Sequence, residues 1–361
     1  MHTIKLNLKN RSYNIIIGYN IIKLLGKYIN KLRIGLDAYV ITNAQIKNKY
    51  GGALNKILKL SGFNVRFKMI PDTEKSKSIV VATSVIKDIA HYDKRRQIFI
   101  VAFGGGVIGD LSGFVASIYK RGIPYIQIPT TLLAQVDSSI GGKTAVDLTE
   151  GKNLLGAFYQ PRLVLSDVKF LHTLNTRQIR AGLAEVIKYG IIKDGRLFAF
   201  LEKRYEDILN LKPGVLEYIV KHSSHIKASI TSQDEREEKG LRTILNFGHT
   251  VGHAIEAASN FKVYNHGEAI ALGILIASDI SRSLNLIDDT VLERIENLIK
   301  VVGLPSKIKG IPLLKILNAH YRDKKFIGQQ NRFVLTSGFG KTKIVENIPL
   351  GIIKKAIKKR G

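Results

Sequence analysis

The sequence predicts an α/β domain followed by a mostly α-helical one, on three observations. Apolar strand-like runs alternate with amphipathic stretches through the first half; one such run passes directly into a glycine-rich loop; and after about Lys169 segments with helical apolar spacing dominate. The 361 residues suffice for two cores. No Pro- or Ser-rich linker separates the halves, so domains of 1–168 and 169–361 are expected to share a broad interface, with the active site in the cleft between them.

The opening Met1-His-Thr-Ile-Lys-Leu-Asn-Leu-Lys9 alternates apolar with polar residues like a strand and lacks the apolar region of a secretory signal. Asp37–Asn43 is a short apolar strand, followed by an amphipathic stretch from about Ile46 to Leu60. Phe63–Ile70 alternates with period two, and Pro71–Ser76 supplies a turn and a helix start. Gln97–Phe103 is almost wholly apolar, as central parallel strands are, and runs into Gly104-Gly-Gly-Val-Ile-Gly-Asp110. Tyr125–Pro129 then delivers Thr130 and Thr131 at a strand end. In the second half Ile179–Ile192, Gly214–Ile230, Ala269–Ile280 and Val291–Val302 carry helical spacing.

Composition removes whole classes of function. With no cysteine, disulfide scaffolds, thiolate nucleophiles, zinc fingers and iron–sulfur clusters are excluded; any metal must use His, Asp or Glu, and a cytoplasmic home is expected. No apolar run reaches the roughly 20 residues of a membrane-spanning helix. The 56 Lys+Arg exceed the 29 Asp+Glu by 27, yet the lysines are spread from Lys5 to Lys359 with no basic recognition helix or aromatic–basic interleaving. Specific nucleic-acid binding is therefore not expected, and local positive charge suits an anionic small molecule.

Gly104, Gly106 and Gly109 satisfy G-x-G-x-x-G between a strand and a helix, where backbone N–H groups approach a pyrophosphate. A dinucleotide or a plain tight turn both fit, since no acidic residue ends the next strand. His249 and His253 stand at i and i+4 on one helix face; they are metal ligands or packed histidines, and the intervening Thr-Val-Gly lacks the glutamate of a metallopeptidase. Glu185, flanked by Ala184, Val186 and Ile187, is a carboxylate in an inward-packing run and needs either a metal or an ion pair with Lys188.

Together these pieces are far more specific. Gly104–Asp110, Tyr119-Lys-Arg-Gly-Ile-Pro124, Ile128–Asp147, Gly151–Gly156, Ala181–Lys188, Gly240–Glu256 and His266-Gly-Glu268 resemble, in order, the motifs of the 3-dehydroquinate synthase family of sugar-phosphate cyclases. The resemblance runs from the first strand to Asp323-Lys-Lys325. It implies a Rossmann-like NAD-binding domain, a helical metal- and substrate-binding domain, and a phosphate-eliminating carbon–oxygen lyase of the shikimate pathway. The implied substrate is 3-deoxy-D-arabino-heptulosonate 7-phosphate, and the products are 3-dehydroquinate and phosphate. Hydride leaves to NAD, phosphate is lost by β-elimination, the hydride returns, and an aldol closure follows, so NAD is regenerated in each turnover. Other sugar-phosphate cyclases and iron-type alcohol dehydrogenases are the alternatives of related fold.

Carried over by motif, Glu185, His249 and His266 are the ligands of zinc, or of cobalt in its place, and His253 is a proton-transfer and orienting group. Asp137, Lys143, Asn153, Lys188, Lys227, Arg242 and Asn246 line the substrate pocket, and either Lys324 or Lys325 reaches the phosphate. Asn43, Asp72, Glu74 and Lys77 are implied at the NAD ribose, and Gly105, Gly106, Val107, Ile108, Gly109 and Asp110 at the pyrophosphate. Thr130, Thr131, Lys143, Lys152, Phe170 and Thr173 complete the cofactor site. Arg121 is implied to reach the substrate phosphate of a neighbouring subunit in a homodimer.

Overall fold

The computed structural model describes residues 1–94, 97–259, 262–322 and 331–361. Asp323, Lys324 and Lys325 lie outside the described residues. Two units emerge: Met1–Leu174 with Leu216–Arg236, and Asn175–Val215 with Glu237–Gly361.

In the first unit a seven-stranded sheet is ordered β1-β2-β9-β6-β5-β3-β4. The strands are β1 (His2–Leu6), β2 (Tyr13–Gly18), β3 (Asp37–Thr42), β4 (Asn64–Met69), β5 (Ile98–Gly104), β6 (Tyr125–Pro129), and β9 (Leu163–Asp167). All neighbours are parallel except β1, which pairs antiparallel with β2. The apolar run expected at the centre is there: β5 lies between β3 and β6 and is buried throughout. Its alternate side chains serve two layers. Phe99, Val101 and Phe103 pack with Leu54, Leu58 and Phe63, while Ile98 and Ile100 pack with Leu111, Val115 and Ile89. Edge strand β4 is half-exposed, as its polar alternation requires.

Parallel connections return each helix to the start of the next strand, so the strand ends collect on one edge of the sheet. Asn43, Gly105, Thr130 and Val168 follow the carboxyl ends of β3, β5, β6 and β9. Tyr119–Gly122, joining the Gly106–Ile118 helix to β6, lies at the opposite edge.

A hairpin of β7 (Lys143–Leu148) and β8 (Gly151–Phe158) has no counterpart in the sequence reading. The Asp147 N–H donates to the Lys77 carbonyl at 2.6 Å and ties it to the unit. Residues 216–236, which the expected boundary at 168/169 assigns to the second domain, pack instead with the first unit. Polar ties explain this: Lys227 pairs with Asp137 at 2.7 Å, and Glu235 takes Arg11 at 2.7 Å and Gln160 at 2.9 Å.

The second unit is built on the His266–Ser283 helix, in which every residue from Ala269 to Ser281 is buried. A helix apolar all round belongs at a core. Around it stand the helices Thr176–Ile192, Gly195–Leu209, His249–Ala258, Asp289–Val301, Leu313–Arg322 and Leu350–Lys359, with a hairpin of β10 (Arg332–Thr336) and β11 (Thr342–Glu346).

One charge is buried on the central helix. Asp279 accepts from Arg360 at 2.5 and 3.0 Å and from Lys359 at 2.7 Å, and Arg360 also donates to Glu296 at 2.8 Å. Removing one member of a buried pair leaves a charge uncompensated, so Arg360→Ala is expected to cost about 3 kcal/mol in denaturant unfolding. Burial raises the Glu296 carboxyl, but Lys300 and Arg360 outweigh it and hold the group below its ordinary value of 4.5. A depressed acid stabilises above its unfolded value and loses that contribution as pH falls through the folded one. Stability is therefore expected to decline below about pH 4.5, and more shallowly in Glu296→Gln, read by unfolding midpoints across pH.

Candidate active site

At the carboxyl edge of the first unit's sheet, Gly105 precedes the Gly106–Ile118 helix without any side-chain cap, leaving the first N–H groups to an anion. A β-carbon on Gly105 would stand 3.0 Å from Thr131 Cγ2, so a side chain there would have to push Thr131 aside. The Thr130 N–H donates to the Gly104 carbonyl at 3.0 Å, and Thr131 Oγ1 accepts from the Ala134 N–H at 3.1 Å. Asn43 accepts from the Ile46 N–H and donates to Asp72 at 3.0 Å. It therefore both caps a helix and steadies the acid proposed for the ribose.

Beside this loop the expected cofactor and substrate residues are wired together. Lys77 Nζ donates to Asp110 at 2.8 Å and to Asn153 at 2.6 Å, and Glu74 faces Lys77 at 3.8 Å and Lys152 at 3.4 Å. Burial lowers the Lys77 ammonium, but Asp110 and Glu74 outweigh it and hold it above its ordinary value. Asn153 stands at φ +55° on β8, a conformation asparagine tolerates, and its N–H donates to Asp147 at 2.8 Å. Lys143, at the start of β7, is exposed. Lys227 holds the Asp137 carbonyl at 2.8 Å as well as its carboxylate.

Three residues of the cofactor set sit differently from a side-chain contact. Phe170 is 1% exposed and packs on Phe103 and Tyr50, so its ring belongs to the core. Ile108 is likewise a core residue and offers only backbone. Thr173 spends its hydroxyl on the Phe170 carbonyl at 2.7 Å.

In the second unit Glu185, His249 and His266 come from three helices, and their ligand atoms lie within 4.8 Å of one another. Two glycines permit this: a β-carbon on Gly267 would meet the Ala181 carbonyl at 2.1 Å, and one on Gly273 the Gly248 carbonyl at 1.9 Å. The first turn carrying His266 is fixed by an Asn265–Glu268 capping box, and Arg177 grips Glu268 at 2.6 and 2.7 Å. Glu185 Oε1 faces Nε2 of His249 at 3.3 Å and Nε2 of His266 at 3.4 Å, while Lys188 Nζ lies against Oε2. The ion pair and the histidine cluster that the sequence left as alternatives are both present.

Burial raises the Glu185 carboxyl, yet Lys188 and the two histidines outweigh it and hold it well below the ordinary carboxylate value. His249 is lowered by burial and by Lys188, whereas His266 is pushed up to about 10 because Glu185 and Glu256 overcome its burial. Among the described residues neither Glu185 oxygen accepts a well-formed hydrogen bond. A buried carboxylate opposite two imidazoles, with Lys188 on its other oxygen, is a donor set suited to a divalent metal. His253, one turn beyond His249, is exposed, its ring 5.2 Å from that of His249. Arg242 is buried and faces Glu237 at 3.4 Å; Asn246 ends the same short helix.

The family model for the 3-dehydroquinate synthase N-terminal region matches residues 67–181, and that for the C-terminal region matches 182–326. A 3-dehydroquinate synthase of Caldanaerobacter subterraneus subsp. tengcongensis is 48% identical over 345 residues, covering 96% of this chain and 97% of that one. The chain belongs to the 3-dehydroquinate synthase family. A solved 2-deoxy-scyllo-inosose synthase, complexed with carbaglucose-6-phosphate, NAD+ and Co2+, superposes with a TM-score of 0.91 at 27% identity over 99% of this chain and all of that one. The 2-epi-5-epi-valiolone synthase of Streptomyces hygroscopicus, with NAD+ and Zn2+ bound, gives 0.89 at 25% identity over 98% of each chain.

Within this 3-dehydroquinate synthase family chain, two site neighbours escaped the sequence reading. Asp147 holds the Asn153 backbone, and Glu256 accepts from His266 Nδ1 at 3.3 Å. Glu256 was findable, since it continues the His249–His253 face at i+7.

Proposed function

We propose that this chain converts 3-deoxy-D-arabino-heptulosonate 7-phosphate to 3-dehydroquinate and phosphate in the cytoplasm, by transient oxidation, β-elimination of phosphate, return of the hydride and aldol closure. The observation that carries the reading is the convergence of Glu185, His249 and His266 in a chain of this family. Glu185, His249 and His266 would hold zinc or cobalt, and the Gly105–Asp110 loop with Asp72, Glu74, Lys77, Thr130, Thr131 and Lys152 would hold NAD. NAD supplies a hydride acceptor that gives the hydride back, and the metal supplies a Lewis acid that acidifies a substrate hydroxyl.

The remaining work falls to side chains. Lys188, Lys227 and Arg242 meet the carboxylate and phosphate of the substrate as charge-assisted donors, and Lys143, Asn153, Asn246 and Asp137 orient its hydroxyls. His253, exposed and next to the metal ligands, moves protons. We assign Arg121 to the phosphate held by a second copy of the chain. A homodimer also suits the exposed Leu148, Leu154, Leu155 and Phe158 on the β7–β8 hairpin. No helix among the described residues is long and apolar enough to cross a membrane.

The test is incubation with the heptulosonate phosphate, assaying phosphate release and dehydroquinate. Because the hydride returns, a catalytic amount of NAD is expected to support many turnovers with no net growth of reduced-nicotinamide absorbance. Accumulation of one reduced NAD per product would instead favour a dehydrogenase.

A further inference from the structure

Both histidines of the Glu185–His249–His266 cluster present Nε2 to Glu185, so in each the other ring nitrogen faces away from the cluster centre. On His249 that nitrogen faces the Phe247 carbonyl at 3.1 Å. On His266 it faces Oε2 of Glu256 at 3.3 Å. Carbonyl and carboxylate oxygens only accept, so each Nδ1 donates to its partner, while each Nε2 is turned toward Glu185 Oε1, where a bound metal would take the place of a proton. The two partners are not equivalent. The Phe247 carbonyl lies two residues from His249 and comes with the backbone, whereas Glu256 is a charged side chain, 9% exposed, reaching across from a different helix. Burying a carboxylate is costly unless it is paired, and here the pairing is to the ring of a ligand.

We propose that Glu256 is a positioning residue of the metal site: it fixes the ring orientation and Nδ1–H tautomer of His266 and strengthens Nε2 as a donor. This rests on reading Glu185, His249 and His266 as the metal ligands. A competing arrangement exists, because His253, Glu256 and His266 also bring ligand atoms within 4.8 Å, in which case Glu256 would be a ligand itself. The proposal places Glu256 outside the ligand set, since its carboxylate already holds His266 Nδ1 and the buried Glu185 supplies the carboxylate donor.

The experiment titrates zinc alone into the metal-free full-length protein against a chromophoric chelator and compares the parent with Glu256→Ala, Glu256→Gln and His253→Ala. Glu256→Ala is expected to bind zinc roughly 10–100-fold more weakly, while its metal-free melting temperature stays close to that of the parent. Glu256→Gln, which keeps an oxygen for the Nδ1–H at nearly the same size, is expected to lose less, and it serves if the alanine variant does not fold. His253→Ala is expected to bind zinc as the parent does. In the zinc-loaded protein, 15N shifts of selectively labelled histidine should show His266 protonated on Nδ1 in the parent and altered in Glu256→Ala. Parent-like zinc affinity in both Glu256 variants overturns the proposal, and so does a His253→Ala loss as large as that of Glu256→Ala. Failure of the metal reading looks different: the parent takes up no zinc, or His249→Ala takes it up equally well.

Discussion

His249→Ala is expected to lose zinc by far more than the roughly 10–100-fold cost of removing a supporting partner, and to lose nearly all activity with it. The imidazole is one of two nitrogen donors facing Glu185, and no cysteine exists in the chain to replace it. The fold should survive, because the His249–Ala258 helix is anchored by buried Val251, Ala254 and Ile255 rather than by the histidine. Far-UV circular dichroism and the melting temperature of the metal-free protein check that point. Chelation of the parent should abolish activity, and added zinc should restore it. Stoichiometric zinc and full turnover in purified His249→Ala would show that the site is misassigned.

Arg121→Ala is expected to lower turnover by about 10²-fold or more, as loss of a forked donor to phosphate does. The turn that carries it is strained: Lys120 and Arg121 sit at φ +49° and +63°, beside Gly122 at +121°. Asp93 pins the turn by pairing with Lys120 and accepting from Tyr119 at 3.0 Å, and Arg121 is left exposed. Since the turn lies at the sheet edge opposite Gly105, an arginine reaching a neighbour's phosphate fits better than one serving its own glycine loop. Arg121→Ala and His249→Ala chains, unfolded and refolded together, should therefore recover activity. Random pairing makes half of the dimers mixed, each with one working site of two, which gives about one quarter of the parental rate. No recovery with mixed dimers demonstrably present would place the action of Arg121 within its own chain or remove it from the reaction.

Local chemistry was enough for much of this molecule. An all-apolar run such as 98–103 can only be a doubly covered strand, a glycine loop behind it can only turn tightly into a helix, and the fully apolar 269–277 stretch has nowhere to go but a core. Motif order then made the family legible, and with it the identity of the proposed ligands. Tertiary structure decided what each side chain touches. That residues 216–236 join the first unit depends on Lys227 and Glu235 meeting Asp137, Gln160 and Arg11, partners from 75 to more than 200 positions away. That the Phe170 ring, expected at the cofactor, packs into the core depends on Phe103 and Tyr50. That Glu256 stands behind His266 depends on two glycines letting the His266–Ser283 helix approach its neighbours to backbone contact. Periodicity records how a segment divides its own surface between protein and water, whereas the partner of a polar atom is set by which distant segment packing brings against it, and no local pattern carries that information.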